Sequence, residues 1–370
     1  MIGRTHRIEE RQGGPTYMAV VLKPGWLYFL RDRDFRTGQV SPYVKIGLTN
    51  FDRPVEARVY DHQTGNPREV YSMNDMQVSA VSTTENYLHH VWAPHRVHGE
   101  WFEMDDDQVS EAIKQAEDLN QLIEAHRPQI ELGTTIYNQL SNGQMKKPSK
   151  EEAGLADEWL DAKKKHVLAK STVSLFEARL RRLMGDCRGI VGVVDFQDKL
   201  TEGGLDKKAK KAIKDKHPDI VKQYTSTKPS ISGTLKADHT NPQLRGLDES
   251  LDKQIKDEKA MQVPGSDPDD FGKGPAARTP EIEQVHSDYL ESLGEKRALK
   301  IGLDLIVDRV KAACGLNDGV EGLCTWKREE SESETIDWKQ LAEDHPKIAQ
   351  ANMTDEKRTA ALKTKPYRPY

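Results

Sequence analysis

Between Gly25 and Phe102 short apolar runs alternate with polar punctuation, and the pattern predicts strands interleaved with short helices. Gly25–Arg31 mixes aromatic and apolar types and predicts a first strand. Tyr43–Leu48 predicts a second, and the polar connection Asp32–Pro42 makes the pair an antiparallel hairpin with a long loop. A short helix is predicted from Pro54 until Gly65-Asn66-Pro67 stops it, with Arg58 and His62 on one face at i, i+4. Val70–Val81 predicts a third strand, and Ser82-Thr83-Thr84-Glu85 opens a helix running to about Trp92. From Gln108 to His126, Val109, Ala112, Ile113, Ala116, Leu119, Leu122 and Ile123 recur at helical core spacing. The fold class expected of this unit is α+β.

Laid on itself, the second half of the chain repeats. Trp159-Leu160 matches Tyr289-Leu290, Lys170 matches Lys300, and Leu175 and Arg179 match Leu305 and Arg309. Gly185, Gly189 and Gly192 match Gly315, Gly319 and Gly322, and His217-Pro218 matches His345-Pro346. Each copy predicts a long helix, a glycine-punctuated β-hairpin (Ile190–Phe196; Val320–Lys327), a short helix and a tail. The expected organisation is an N-terminal tail over 1–20, the α+β unit over 21–130, a linker over 131–152, a basic repeat module over 153–236, a disordered linker over 237–283 and a second module over 284–370. The two helix–β-hairpin–helix modules are thus expected on flexible linkers.

Composition sharpens this picture in three places. Only 36% of the chain is hydrophobic and 31% is charged, which implies modest cores. The net charge of −5 hides segregation, because Asp161–Lys236 holds 18 Lys and Arg against 9 Asp and Glu, an excess that attracts polyanions. Cys187, Cys314 and Cys324 form no CxxC pair, and no apolar run approaches the ~18–20 residues of a membrane span, so a cytoplasmic protein without a membrane partner is expected.

Gly25-x-Leu27-Tyr28, Lys45-Ile46-Gly47, Arg58, Glu85-x-x-Leu88-His89-x-x-Trp92 and Gly99-Glu100-Trp101-Phe102 together resemble the GIY-YIG nuclease superfamily. The resemblance is to the branch with KIG as its second motif, often named for a phage T5 open reading frame or a meiotically up-regulated gene. It implies a small three-stranded antiparallel sheet with flanking helices and a divalent-metal-dependent phosphodiesterase site acting on DNA. Catalytic candidates are Tyr28, Lys45, Arg58, His62 and Glu85, and Glu85 is the candidate ligand for Mg²⁺ or Mn²⁺, which is held by few carboxylates and several waters. Arg58 suits a phosphate oxygen, and Tyr28 and His62 are the candidates for handling the proton of the attacking water. Lys45 stands where many members carry tyrosine, which favours an electrostatic role for it. His89 and Glu100 are expected to line the same cleft.

Each of these residues also has a plainer reading. Tyr28 suits strand packing, Ser82 and Glu85 have the spacing of a capping box, and Arg58 with His62 suits a solvated helix face. A zinc site from His89, His95 and His98 lacks regular ligand spacing and a nearby cysteine. The glycines of the repeats lack the Lys-Ser/Thr ending of a phosphate loop. The repeats resemble the C-terminal tails of phage YqaJ-type exonucleases, which implies docking of DNA or of a partner, self-association included. Lys163, Lys164, Lys165, Arg181, Arg182, Lys207, Lys208, Lys210 and Lys211 are the candidate DNA contacts. The functional expectation is a DNA endonuclease, and the alternative is a non-catalytic DNA-binding or protein-interaction module on the same fold.

Overall fold

Alternation along Gly25–Arg33 (β1) sends Leu27 and Phe29 to one side of a sheet and Tyr28 and Leu30 to the other, and both sides are covered. The computed structural model describes residues 20–201, 203–238, 244, 246–262, 267–272 and 274–370. The expected tail, apart from its last residue, lies outside them.

β1 runs antiparallel between Val40–Asn50 (β2) on one side and Glu69–Val78 (β3) on the other. Between these two runs the helix Val55–Gln63 (α1), and after β3 comes Val81–Val91 (α2). Where three strands were expected there are five, in the order β3-β1-β2-β5-β4, because Arg96–His98 (β4) and Trp101–Glu103 (β5) extend the sheet. The physical reason is the free edge of β2 at Tyr43–Lys45, which the Trp101–Glu103 backbone pairs. One face packs against α2 and Asp106–Ala125 (α3) through Leu88, Phe102, Val109, Ala112 and Ala116, and the other packs on α1 through Val55 and Val59.

The expected linker over 131–152 holds ordered structure. Arg127–Tyr137 (α4) packs Ile130 beside Ile301 and Leu305, and Met145–Lys146 (β6) joins a small sheet. Leu155–Met184 (α5) follows, then Val194–Thr201 (β7), Lys207–Lys216 (α6), Pro218–Gln223 (α7) and Thr225–Ser232 (β8). The stretch expected to be a disordered linker carries Lys236–Ala237 (β9) and Glu249–Ala260 (α8), while 239–243, 245, 263–266 and 273 lie outside the described residues. Pro280–Cys314 (α9), Gly319–Val320 (β10), Cys324–Thr325 (β11), Glu329–Ile336 (β12), Trp338–Asp344 (α10), Pro346–Gln350 (α11) and Lys357–Thr364 (β13) complete the chain.

The order long helix, strand, two short helices, strand thus occurs twice, but not as two modules on tethers. Arg309 pairs with Glu158 at 2.6 Å and the Tyr289 hydroxyl donates to Glu177 at 3.4 Å, which sets α9 antiparallel against α5. Both helices end at a left-handed glycine, Gly185 (φ 60°) and Gly315 (φ 55°). Where a hairpin was expected within each copy, β10 pairs β11 and Ile190 bridges Val194, but the long strands exchange partners. β7 pairs β13, and β8 pairs β12, so each two-stranded ribbon takes one strand from each copy. The exchange closes where α6, α7, α10 and α11 bury Ile213, Val221 and Leu341 together. No helix among the described residues is long and apolar enough to cross a membrane.

Candidate active site

Strand alternation dictates the floor of the cleft. Tyr28 lies opposite Gly47 and Leu30 opposite Lys45, so Tyr28 and Lys45 share the α1 face of the sheet. Glycine is required at position 47 because a Cβ there would lie 2.6 Å from the Tyr28 hydroxyl oxygen. The Tyr28 side chain is fully buried, as expected of a packed strand aromatic, yet its hydroxyl has no aligned hydrogen-bond partner. It sits against the guanidinium of Arg58, which α1 brings over the sheet. Burial raises the Tyr28 pKa against the opposing pull of Arg58, so the phenol stays protonated.

Arg58 and His62 share the inner face of α1, and the solvated reading of that face does not hold. Arg58 donates to Asp61 at 3.1 Å, while its Nε is buried without a partner. Burial alone would lower its pKa, and Tyr28 with Asp61 holds it above the usual value. Nε2 of His62 is likewise buried and unpartnered. Burial first, then the charges of Lys45 and Arg58, lower the His62 pKa, which keeps the ring neutral near pH 7.

Lys45 is 6% exposed, forms an ion pair with Glu100 and lies 5.9 Å from the Trp101 ring centroid. Glu100 is therefore in the site. Burial would raise its carboxyl, but the Lys45 hydrogen bond outweighs this and holds it below the usual range. Glu85 enters from α2. The expected capping box with Ser82 does not form, because the cap falls two residues earlier at Ala80, which provides no side-chain acceptor, and the helix begins at Val81. Freed from capping, the Glu85 carboxyl is pushed up to about 7, by burial first and by Glu100 second, against the pull of Lys45, Arg96 and Arg58. Tyr28, Lys45, Arg58, His62 and Glu85 are thus brought together, with Glu100 coupled to each.

His89 acts on the Glu100 carboxyl, but its ring is held by the sheet. It is 8% exposed, its Nε2–H donates to the Ile46 carbonyl at 2.9 Å, and burial pulls its pKa down to about 4. The histidine zinc site is excluded on geometry, since His95 packs on Trp92 and His98 on Tyr367. Among the described residues no group of three or more His, Cys, Asp or Glu could hold a metal ion. The desolvated Glu85 carboxylate is the group here with the chemistry of a ligand for a hard cation held mainly by water and substrate oxygens, as Mg²⁺ is.

Residues 25–117 match the family model of the T5orf172 domain. The match covers about a quarter of the chain and includes all five clustered residues. No curated protein and no solved structure gives a significant match. Sequence reasoning passed over Arg96 of the T5orf172 domain, whose guanidinium donates to the Gly99 carbonyl and lies 5.9 Å from the Phe102 ring centroid. Burial lowers its pKa while Glu100 and Glu85 oppose that shift, so it faces both acids. Its place three residues before Gly99-Glu100 was the available signal.

The candidate DNA contacts outside the T5orf172 domain divide in two. On α5, Arg182 is paired with Glu258 and Lys165 with Asp161, Lys163 lies 4.0 Å from the Trp159 ring centroid, and Arg181 and Lys164 are half-buried. On α6, Lys207, Lys208, Lys210 and Lys211 form no ion pair among the described residues, and Lys210 reaches the Trp338 ring at 5.9 Å.

Proposed function

We propose that the chain is a divalent-metal-dependent DNA endonuclease that hydrolyses phosphodiester bonds in the cleft of its T5orf172 domain. The observation that carries this reading is the meeting of three orphaned buried polar atoms, Tyr28 Oη, Arg58 Nε and His62 Nε2, with the desolvated Glu85 carboxyl. Neutral His62 is the base that takes the proton of the attacking water. The water oxygen bonds to phosphorus as the bond to the leaving oxygen breaks, and that oxygen takes a proton from solvent. Protonated Tyr28 orients the water or a phosphate oxygen, which narrows the sequence expectation, since a raised pKa disqualifies it as base. Arg58 grips a non-bridging oxygen, and Lys45, charge-balanced by Glu100, adds positive field. Glu85 would hold Mg²⁺ or Mn²⁺, which supplies Lewis-acid stabilisation of the phosphoryl charge. The α6 lysines would hold DNA backbone, a salt-dependent contact.

Supercoiled plasmid incubated with the full chain and MgCl₂ or MnCl₂ tests this. Nicking that disappears in Glu85→Gln and in Arg58→Ala is expected, and its absence from the wild-type protein overturns the proposal. The tight Lys45–Glu100 pair favours a second reading, a binding module in which this pair is structural. In that case DNA binding is metal-independent and the wild-type protein nicks no plasmid with either metal.

A further inference from the structure

The nuclease cleft is not sealed off from the second half of the molecule. α9 lies directly on α2, the helix that carries Glu85. Gly294 permits this, since a Cβ there would meet the His90 carbonyl oxygen and Val91 Cα at 3.0 Å. Lys296 and Arg297 follow within one turn and emerge at the same junction. Arg96 stands on the other side of it, and the charges of Arg297, Arg96 and Lys296 all act on His90. At its far side Arg96 faces Glu85 and Glu100.

From the junction the cationic groups continue onto the helix pair. The Glu158–Arg309 and Glu177–Tyr289 contacts fix a register that sets Lys296 across from Lys170, and Lys300 across from His166. Burial, then Lys300, Lys296 and Lys170, pull the His166 pKa down to about 4. Acids account for part of the charge only: Asp304 pairs with Lys300, and Glu177 lies near Lys296. Among the described residues Lys170, Lys296 and Arg297 form no ion pair within 4.0 Å, and Arg297 Nε is buried without a hydrogen-bond partner. Like charges collected along one face of two packed helices repel one another and attract a polyanion, whose phosphates offset that repulsion.

We propose that Arg96, Arg297, Lys296 and Lys170 form a phosphate-backbone track that leads a nucleic-acid strand from the T5orf172 cleft across the α2–α9 junction onto the middle of the α5–α9 pair. The track takes its starting point from the nuclease reading of that cleft. It is distinct from the α6 lysines, which sit with the four short helices where the ribbons meet. It also gives the second half a role in substrate placement, because a strand held along the track is fixed relative to Glu85.

The test uses the full chain carrying Glu85→Gln, so that nothing is cut, with fluorescently labelled single-stranded and duplex DNA and anisotropy across about 50 to 200 mM salt. Replacing Lys170 and Lys296 together by Gln is expected to reduce the log–log salt slope by about 1.4–1.8, from ~0.7–0.9 for each phosphate no longer neutralised. Lys170→Arg with Lys296→Arg is expected to restore it. An unchanged slope in a Gln double variant with unaltered melting temperature overturns the track, as does a wild-type protein that binds no DNA. If the Gln double variant misfolds, Lys170→Gln alone decides, since Lys170 is exposed: a slope reduced by about 0.7–0.9, against an unchanged slope in a Lys339→Gln Lys347→Gln surface control, supports the track, and an unchanged slope overturns it. Plasmid nicking is scored separately in the chain with Glu85 intact. Nicking with an unchanged slope sinks the track alone, and a reduced slope without nicking sinks the nuclease reading alone.

Discussion

The T5orf172 domain and the second half of the chain are built on opposite plans. In the domain all strand pairing stays within Gly25–Glu103: β1 lies between β2 and β3, β5 pairs β2, and α1 packs Val55 and Val59 against β1 and β3. In the second half the long strands of each copy pair with the other copy, across up to about 170 residues of chain. A site of five converging side chains belongs to the first plan, where local geometry places each group. The second plan makes a frame whose parts depend on one another, and its long reach suits placing a polymer. Loop-closure entropy makes such distant pairings slow to form, so the frame is expected to assemble after the domain.

The sharpest break between the two regions comes from Glu85→Gln. Activity is expected to fall at least ~10²-fold, the scale of losing one charge-stabilising group in a phosphoryl site. Stability is expected to move the other way. The folded carboxyl sits at about 7 against an ordinary 4.5, so above pH 7 the ionised, buried group costs up to ~3 kcal/mol, an upper bound, which the amide avoids. Melting of the metal-free variant at pH 8 checks this: the melting temperature should exceed that of the wild type.

In the second half the corresponding break is Leu341→Ala. Leu341 is fully buried among the four short helices that close both ribbons, and truncation there costs ~2–5 kcal/mol. Hydrogen exchange read by mass spectrometry should show faster exchange in Thr225–Ser232 and Lys357–Thr364, with Gly25–Arg33 unchanged. Deprotection of one ribbon without the other would show that the partner exchange is not cooperative.

These two regions were unequally legible in the sequence. Residues 28, 45, 58, 62 and 85 stood out because strand and helix periodicity is local, and a motif states residue type and spacing together. For His89 the spacing from Glu85 fixes a helix face but not which surface that face meets, so the sequence could not show that the Ile46 carbonyl claims its ring. Arg96 was missed because β4 is three residues long and carries no periodicity. In the second half two long helices, each ending at a glycine, were readable, but the strand pairing was not. An exposed strand such as Glu329–Ile336 carries its partner's identity only in distant backbone groups, and the charged composition read as disorder at 237–283 includes the helix α8.

Acid titration compares the regions at similar histidine pKa values with different causes. His89 in the domain and His166 on α5 are both pulled to about 4, the first mainly by burial, the second by burial with three lysines behind it. A histidine with a depressed folded pKa contributes stability that is full above about 6.5 and is lost as pH falls toward 4. For His89 this amounts to ~3 kcal/mol at most. Glu85 has the opposite sign, since the folded state gains a proton between about 7 and 4.5, so the two offset within the wild-type domain. Melting from pH 7 to pH 5 should therefore be steeper in Glu85→Gln than in the wild type. High salt should weaken the His166 contribution and leave that of His89, because solvent screens the half-exposed lysines and not the core.

The smallest expected effect is Gly47→Ala, and it tests whether the domain's packing and its chemistry are one feature. The added methyl would sit 2.6 Å from the Tyr28 hydroxyl oxygen and 2.7 Å from its ring, in an extended backbone that any residue adopts, so the penalty is overlap alone. Overpacking of this kind costs ~1–3 kcal/mol. Tyr28 is held between Gly47, Leu30, Val55 and Val70, so relief requires the ring to shift toward Arg58. Melting should fall modestly, whereas plasmid nicking should fall further than the lost stability explains, because the hydroxyl and the guanidinium move together. Nicking that tracks stability alone would show that Tyr28 serves the core of the sheet and leaves the water to His62.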